Sequence, residues 1–331
     1  MKIALDAMGG DYAPGCIVQG ALEALPLIQS TIILVGQPEA IHKFLPGGVA
    51  PKGIEIVEAT QVVEMDEKPM DAIRKKRDSS LAVAINLVTE GKADAMVSAG
   101  NTGAATAGSL LAWRTLPGIK RPAILGTWPN KKGGFVILDL GSNPDAEPEQ
   151  MIEFGLIGRA YAEKMMGRKD PKVHLLNIGE EPGKGSLWAQ EAFKKLSEFE
   201  WFAGNIEGKD MFSHAVDVVV CDGFVGNIVL KTAEGLGEYI QGFIKSGLPE
   251  NPIARLPYLP MRNLLKPLIK QMDYAEYGGQ PLLGLNGLTF ICHGRSNPKA
   301  IKNALLQAEA AIKGNLLNTI RDSAVHLVAQ V

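Results

Sequence analysis

The sequence predicts an α/β protein: a largely parallel sheet with helices on both faces. Three observations carry this. Short apolar runs alternate with helical patterns over most of the 331 residues. Several runs are apolar on both faces, as in Val216-Asp217-Val218-Val219-Val220, the pattern of a strand buried on both sides. Many runs end in a glycine-bearing turn that opens a helix, the connection between parallel strands.

In order, strands are predicted at Ile3–Ala7, Thr31–Val35, Ile54–Glu58, Ala93–Ser98, Phe135–Leu140, Val173–Ile178, Phe199–Gly204, Val216–Cys221 and Leu288–Cys292. Helical patterns fall at Pro14–Leu25, Leu81–Thr89, Ala104–Trp113, Pro148–Met166, Leu187–Leu196 and Gly226–Ile244, and one long helix from Pro298 to about Val328 closes the chain. No repeat, low-complexity tract or long Pro/Gly/Ser linker interrupts them. Residues 1–331 are therefore read as a single α/β domain.

Composition narrows the function. A formal charge of -2 argues against a general nucleic-acid binder. Cys16, Cys221 and Cys292 cannot make a disulfide framework, which fits a reducing cytoplasm. The chain begins directly with a strand, so no signal peptide is expected, and no apolar run has the length of a membrane span.

The stretch Val97-Ser98-Ala99-Gly100-Asn101-Thr102-Gly103 is the strongest motif. It reads as a strand, a glycine turn and a helix start, with Asn101 or Thr102 as N-cap. Backbone N–H donors and the positive helix end then face one spot that suits an anion, and Gly100 and Gly103 leave room for a phosphate-sized group. An ordinary strand–helix turn is the alternative. Similar turns follow at Asp6-Ala7-Met8-Gly9-Gly10-Asp11, Asp139-Leu140-Gly141-Ser142-Asn143 and Asp222-Gly223-Phe224-Val225-Gly226-Asn227. Asp6 and Asp11 suit either a cation or helix capping. If these ends converge, they make one polar crevice. Gly179-Glu180-Glu181-Pro182-Gly183-Lys184-Gly185-Ser186 lacks the Walker spacing, yet its glycines free Lys184 to reach an oxyanion. The basic run Arg74-Lys75-Lys76-Arg77 reads as a solvated face or a phosphate or acidic-partner contact.

Residues 245–275 break the pattern with Pro249, Pro252, Pro257, Pro260 and Pro267 among aliphatic residues. Lys245, Arg255, Arg262, Lys266 and Lys270 face only Glu250 over residues 245–272. This amphipathic helical segment suits an anionic membrane surface, with Leu264 and Leu268 on its apolar side, or a protein partner.

Other chemistries drop out. Cys292 and His293 are strand neighbours pointing to opposite faces, so they form no dyad. No Gly-x-Ser-x-Gly elbow, zinc spacing or dinucleotide fingerprint is present, and no cofactor or metal is expected.

The turns at residues 6–11, 98–104 and 222–227, with His293-Gly294-Arg295-Ser296, resemble the bacterial acyl-[acyl-carrier-protein]:phosphate acyltransferases of phospholipid synthesis, from the first residue to the last helix. Tyr12, Val225, Ser186 and Ser142-Asn143-Pro144 depart from that family's usual residues. The resemblance implies a homodimeric, cytoplasmic, peripherally membrane-associated enzyme of the isocitrate-dehydrogenase/phosphotransacetylase fold. It implies transfer of a fatty acyl group from acyl carrier protein to inorganic phosphate, with the product passed to a membrane glycerol-3-phosphate acyltransferase. On that reading Ser98, Gly100, Asn101, Thr102 and Gly103 cradle phosphate. Lys184 stabilises charge, supported by Asn143, Asn227 and His293, and His293 is a candidate donor to the departing thiolate. Arg255, Arg262, Lys266 and Lys270 meet the carrier or anionic lipid. Two rivals remain: a coenzyme A-dependent phosphotransacetylase-type enzyme and a non-catalytic membrane scaffold for lipid-synthesis enzymes.

Overall fold

The computed structural model describes residues 1–213, 215–246 and 274–330. The first half holds β1 (Lys2–Asp6), α1 (Gly15–Ala24), β2 (Thr31–Gly36), α2 (Pro38–His42), β3 (Ile54–Glu58), α3 (Pro69–Lys75), α4 (Ser80–Thr89), β4 (Ala95–Ser98) and α5 (Thr102–Trp113). Next come β5 (Ala123–Trp128), β6 (Phe135–Leu138), α6 (Gln150–Met166), β7 (Val173–Asn177), α7 (Leu187–Leu196), β8 (Phe202–Glu207), β9 (Val218–Val220) and α8 (Gly223–Ser246). The chain closes with α9 (Tyr274–Tyr277), β10 (Gln280–Leu283), β11 (Thr289–Ile291), α10 (Pro298–Lys313) and α11 (Leu316–Gln330).

These strands form one eleven-stranded sheet in the order β3-β2-β1-β4-β11-β10-β5-β6-β9-β7-β8. It is parallel except around β10, which is antiparallel to β11 and β5, and between β5 and β6. The strands from β6 to β8 therefore run opposite, along the ladder, to β1–β4 and β11. Side-chain alternation sends Ile3 and Leu5 of β1 into one apolar core with α1, α6, α7, α10 and α11. Ala4 goes into the other core, with α3, α4, α5 and α8. Helices thus cover both faces, as the doubly apolar strands require.

Three expectations are corrected. The closing helix is two helices: Gly314 caps α10 and Asn315 sits at φ 54, turning the chain into α11. Two strands, β5 and β10, were not foreseen. The strand expected at Phe199–Gly204 begins at Phe202, because Phe199 and Trp201 are instead stacked on each other, ring centroids 4.8 Å apart. Arg255, Arg262, Leu264, Lys266, Leu268 and Lys270, and most of the segment 245–275, lie outside the described residues.

Candidate functional site

The glycine turns gather into two clusters, each at carboxyl ends of strands and each around a buried carboxylate. The first surrounds Asp6 at the end of β1. Its Oδ2 accepts from Ser98 Oγ at 2.7 Å and its Oδ1 from Met8 N–H at 3.3 Å. Burial pushes the Asp6 carboxyl above the usual carboxylate range, with hydrogen bonds from Ser80, Ser98, Met8 and Gly9 opposing the shift. Gly100 N–H donates to Ser98 Oγ at 3.0 Å. Asn101 is the N-cap of α5, its Oδ1 accepting from Ala104 N–H at 2.9 Å. Its Nδ2 lies within hydrogen-bond distance of the carbonyls of Glu64, Met65 and Glu67, at 3.3, 3.1 and 3.0 Å. That pins the 64–67 segment beside the turn.

Ser98 and Asn101 are thus committed to the protein. The glycines are too: a Cβ at Gly100 would meet Ser98 Oγ, Asp6 Oδ2 and Gly9 Cα, and one at Gly103 would lie 2.5 Å from Pro69 Cγ. The side-chain space at those two positions is filled by protein neighbours, and the Gly100 N–H is spent on Ser98 Oγ. Exposed Thr102 and half-buried Gly103 occupy the first turn of α5, where N–H groups lack helical acceptors. The His293–Ser296 turn stands alongside, since Gly294 O accepts from Asp11 N–H at 2.8 Å. His293 is exposed there, and the buried Ser296 Oγ has no hydrogen-bond partner. Ser296 has one signal in the sequence, a hydroxyl one residue before the N-cap Asn297.

The second cluster surrounds Asp139, just after β6. Its Oδ1 accepts from the N–H groups of Ile124 at 2.9 Å and Ser142 at 3.1 Å, and its Oδ2 from Asn143 N–H at 2.6 Å and Asn143 Nδ2 at 2.9 Å. Burial raises this carboxyl as well, against those bonds. Asn143 Nδ2 also donates to Pro122 O at 2.7 Å. Gly226 admits no side chain, for a Cβ would overlap Asp139 O, and Asp222 Oδ1 caps α8 through Val225 N–H at 2.9 Å. Exposed Asn227 lies against Gly141. Lys184 is exposed in the loop after β7, its methylene stem packed near Gly179, and Ser186 caps α7.

The structure therefore brings Ser98, Gly100, Asn101, Thr102, Gly103 and His293 to one cluster. Asn143 and Asn227 belong to the other, and Lys184 stands at the carboxyl end of β7 in the same half of the sheet. The basic run closes α3, where cations meet the negative helix end; Lys76 pairs with Glu67 and donates to Val62 O at 2.7 Å. Neither buried thiol suits a nucleophile: burial pushes Cys292 up to about 12 and Cys221 well above its ordinary value. Among the described residues there is no group of three or more His, Cys, Asp or Glu placed to hold a metal, and no helix long and apolar enough to cross a membrane.

A mixed sheet with glycine turns and helix starts at its strand ends defines an α/β fold, and solved phosphotransacetylases share it. A phosphotransacetylase from Streptococcus pyogenes superposes with a TM-score of 0.65 at 20% identity, covering 95% of this chain and 94% of that one. A branched-chain phosphotransacylase from Enterococcus faecalis V583 gives 0.55 at 13%, covering 94% and 99%. The family described as "Fatty acid synthesis protein" matches residues 1–319. A phosphate acyltransferase of Desulfitobacterium hafniense is 49% identical over 97% of both chains, and one of Heliobacterium modesticaldum 48% over 97% of both. The chain belongs to the phosphate acyltransferase family and is an acyltransferase.

Proposed function

We propose that this enzyme moves a fatty acyl group from acyl-[acyl-carrier-protein] to inorganic phosphate, releasing acyl phosphate for phospholipid synthesis. The observation that carries the phosphate half is the first cluster, where the α5 N-terminus, the Gly9-Gly10 turn and the His293–Ser296 turn share one place. Phosphate dianion is a competent nucleophile at neutral pH. A thiolate is a good leaving group, since thiols ionise near pKa ~8.5. Direct attack then needs no covalent enzyme intermediate, in keeping with two thiols whose burial holds them protonated.

In this reading Asp6, Ser98 and Asn101 set the shape of the turn rather than touch phosphate. The first-turn N–H groups of Thr102 and Gly103 bind the anion, and His293 protonates the departing thiolate. Lys184, with Asn227, stabilises the tetrahedral oxyanion from the second half of the sheet, and Asn143 holds that half's turn through Asp139. Because β6 runs opposite to β4 along the ladder, the assignment of Lys184 and Asn227 to the same substrate is the part of this reading that Lys184→Ala tests.

The same reading includes a homodimer, a cytoplasmic setting with peripheral membrane attachment, and hand-over to a membrane glycerol-3-phosphate acyltransferase. An exposed apolar face on α8, with Ile228, Leu236, Tyr239 and Phe243, supports association with a second surface. Liposome flotation of the Leu264→Glu, Leu268→Glu double variant tests the membrane role, which fails if flotation is unchanged. Donor identity is tested by acyl phosphate formation from palmitoyl-carrier protein with palmitoyl-coenzyme A run alongside. Product from the carrier donor alone is expected. Equal product from coenzyme A overturns the carrier assignment, and none from either donor overturns the proposed reaction.

A further inference from the structure

A fatty acyl chain held at the first cluster has to run onward over apolar surface. We infer that the groove formed by Tyr12, Ala13, Gly15, Cys16, Phe44 and Pro298 receives the aliphatic part of the acyl group, an inference that rests on the acyl-transfer reading above. The groove has a volume of about 470 Å³, and its lining is mostly apolar, with Gln19 and the Tyr12 hydroxyl as its polar groups. Small-molecule pockets run from about 300 to 1,000 Å³, so the space is of a size that takes one aliphatic chain.

Its position ties it to the reaction. Tyr12 directly follows Asp11, whose N–H donates to Gly294 O at 2.8 Å in the His293–Ser296 turn, and Ala13 N–H donates to Gly10 O at 3.3 Å. The groove thus opens where the first cluster ends. Tyr12 and Phe44 are 55% and 48% exposed and stand together beside a polar strand end. Phe44 is seated on backbone: a Cβ at Gly15 would lie 2.9 Å from its Cε1, so the missing side chain is what lets the ring form a wall. The carbonyl end would lie at the glycine turns and the tail between Tyr12 and Phe44. The groove contacts only methylenes, so it selects chain length and takes no part in the bond-making step.

Cys16 lines the groove and is half-buried, while Cys221 and Cys292 are fully buried, so it reports occupancy directly. N-ethylmaleimide labelling of Cys16 in the full-length protein is followed with palmitate present, and with acetate as control. Palmitate is expected to suppress labelling and acetate to leave it unchanged. Labelling indifferent to palmitate overturns the groove. In parallel, Cys16→Phe and Tyr12→Ala are compared on palmitoyl and hexanoyl donors. The ratio of kcat/KM values should fall by about tenfold or more for at least one variant, mainly through the palmitoyl donor. An unchanged ratio in both folded variants also overturns it. The two readings fail differently: acyl phosphate formation without palmitate protection removes the groove alone, and protection without acyl phosphate formation removes the acyl-transfer reading and leaves a groove for a fatty chain without that reaction.

Discussion

Asn101 does three things with one side chain: it caps α5, ties down the 64–67 segment and fixes the approach to Thr102. Asn101→Ala removes all three at a buried position. We expect a loss of about 2 kcal/mol or more in urea unfolding, whereas exposed Thr102→Ala stays within about 0.5 kcal/mol. Gly9 is equally constrained. A Cβ there would lie 2.5 Å from Asp6 Oδ2 and 2.8 Å from Gly100 N, so Gly9→Ala should destabilise by about 1–3 kcal/mol in the same measurement. Asp6 gives a pH signature. Its carboxyl is raised by burial, so the folded state holds its proton more tightly than the unfolded chain. This contribution is fully present below the ordinary aspartate value of 3.8 and is lost as pH rises through the higher folded value. Urea unfolding over the acid range should therefore show stability falling less with rising pH in Asp6→Asn than in the parent; an unchanged slope contradicts the burial account. The asparagine cap was legible because Asn before an Ala-rich run has a local mechanism. The commitment of Ser98, Gly100 and Gly103 to protein neighbours was not, because Asp6 and Pro69 lie distant in sequence.

At the scale of elements, the parallel strands were legible from their apolar runs, and the two antiparallel ones were not. In β10, Pro281 lacks an N–H and reads as a breaker, yet it sits opposite Phe290 of β11. In β5, Gly126 interrupts the apolar run; the missing side chain makes room for Leu140, whose Cδ1 would lie 2.5 Å from a Cβ there. The break between α10 and α11 had a signal in Gly314-Asn315, but amphipathic periodicity on both sides masked it. Asn tolerates the left-handed conformation better than Ala, so Asn315→Ala should lower stability by about 1 kcal/mol, read from the shift in the urea midpoint.

At the scale of the whole molecule, the sequence exposes each strand end but not the direction of its strand. Convergence of the glycine turns depends on that direction. The observed sheet sorts them into an Asp6 half and an Asp139 half, joined through β10 and β5. Two variants separate chemistry from architecture in the second half. Lys184 is exposed, so Lys184→Ala should leave unfolding within about 0.5 kcal/mol while lowering kcat about 100-fold. Asn143 is buried against Asp139 and Pro122, so Asn143→Ala should lower both stability and activity.

Direct attack of phosphate on the thioester leaves no acyl group on the enzyme at any stage. The most direct measurement is a single-turnover acid quench with palmitoyl-carrier protein radiolabelled in the acyl group, run with and without phosphate. Label should pass from carrier to acyl phosphate only when phosphate is present, with none bound to the denatured enzyme at any time. Label retained covalently on the enzyme before phosphate is added would contradict it.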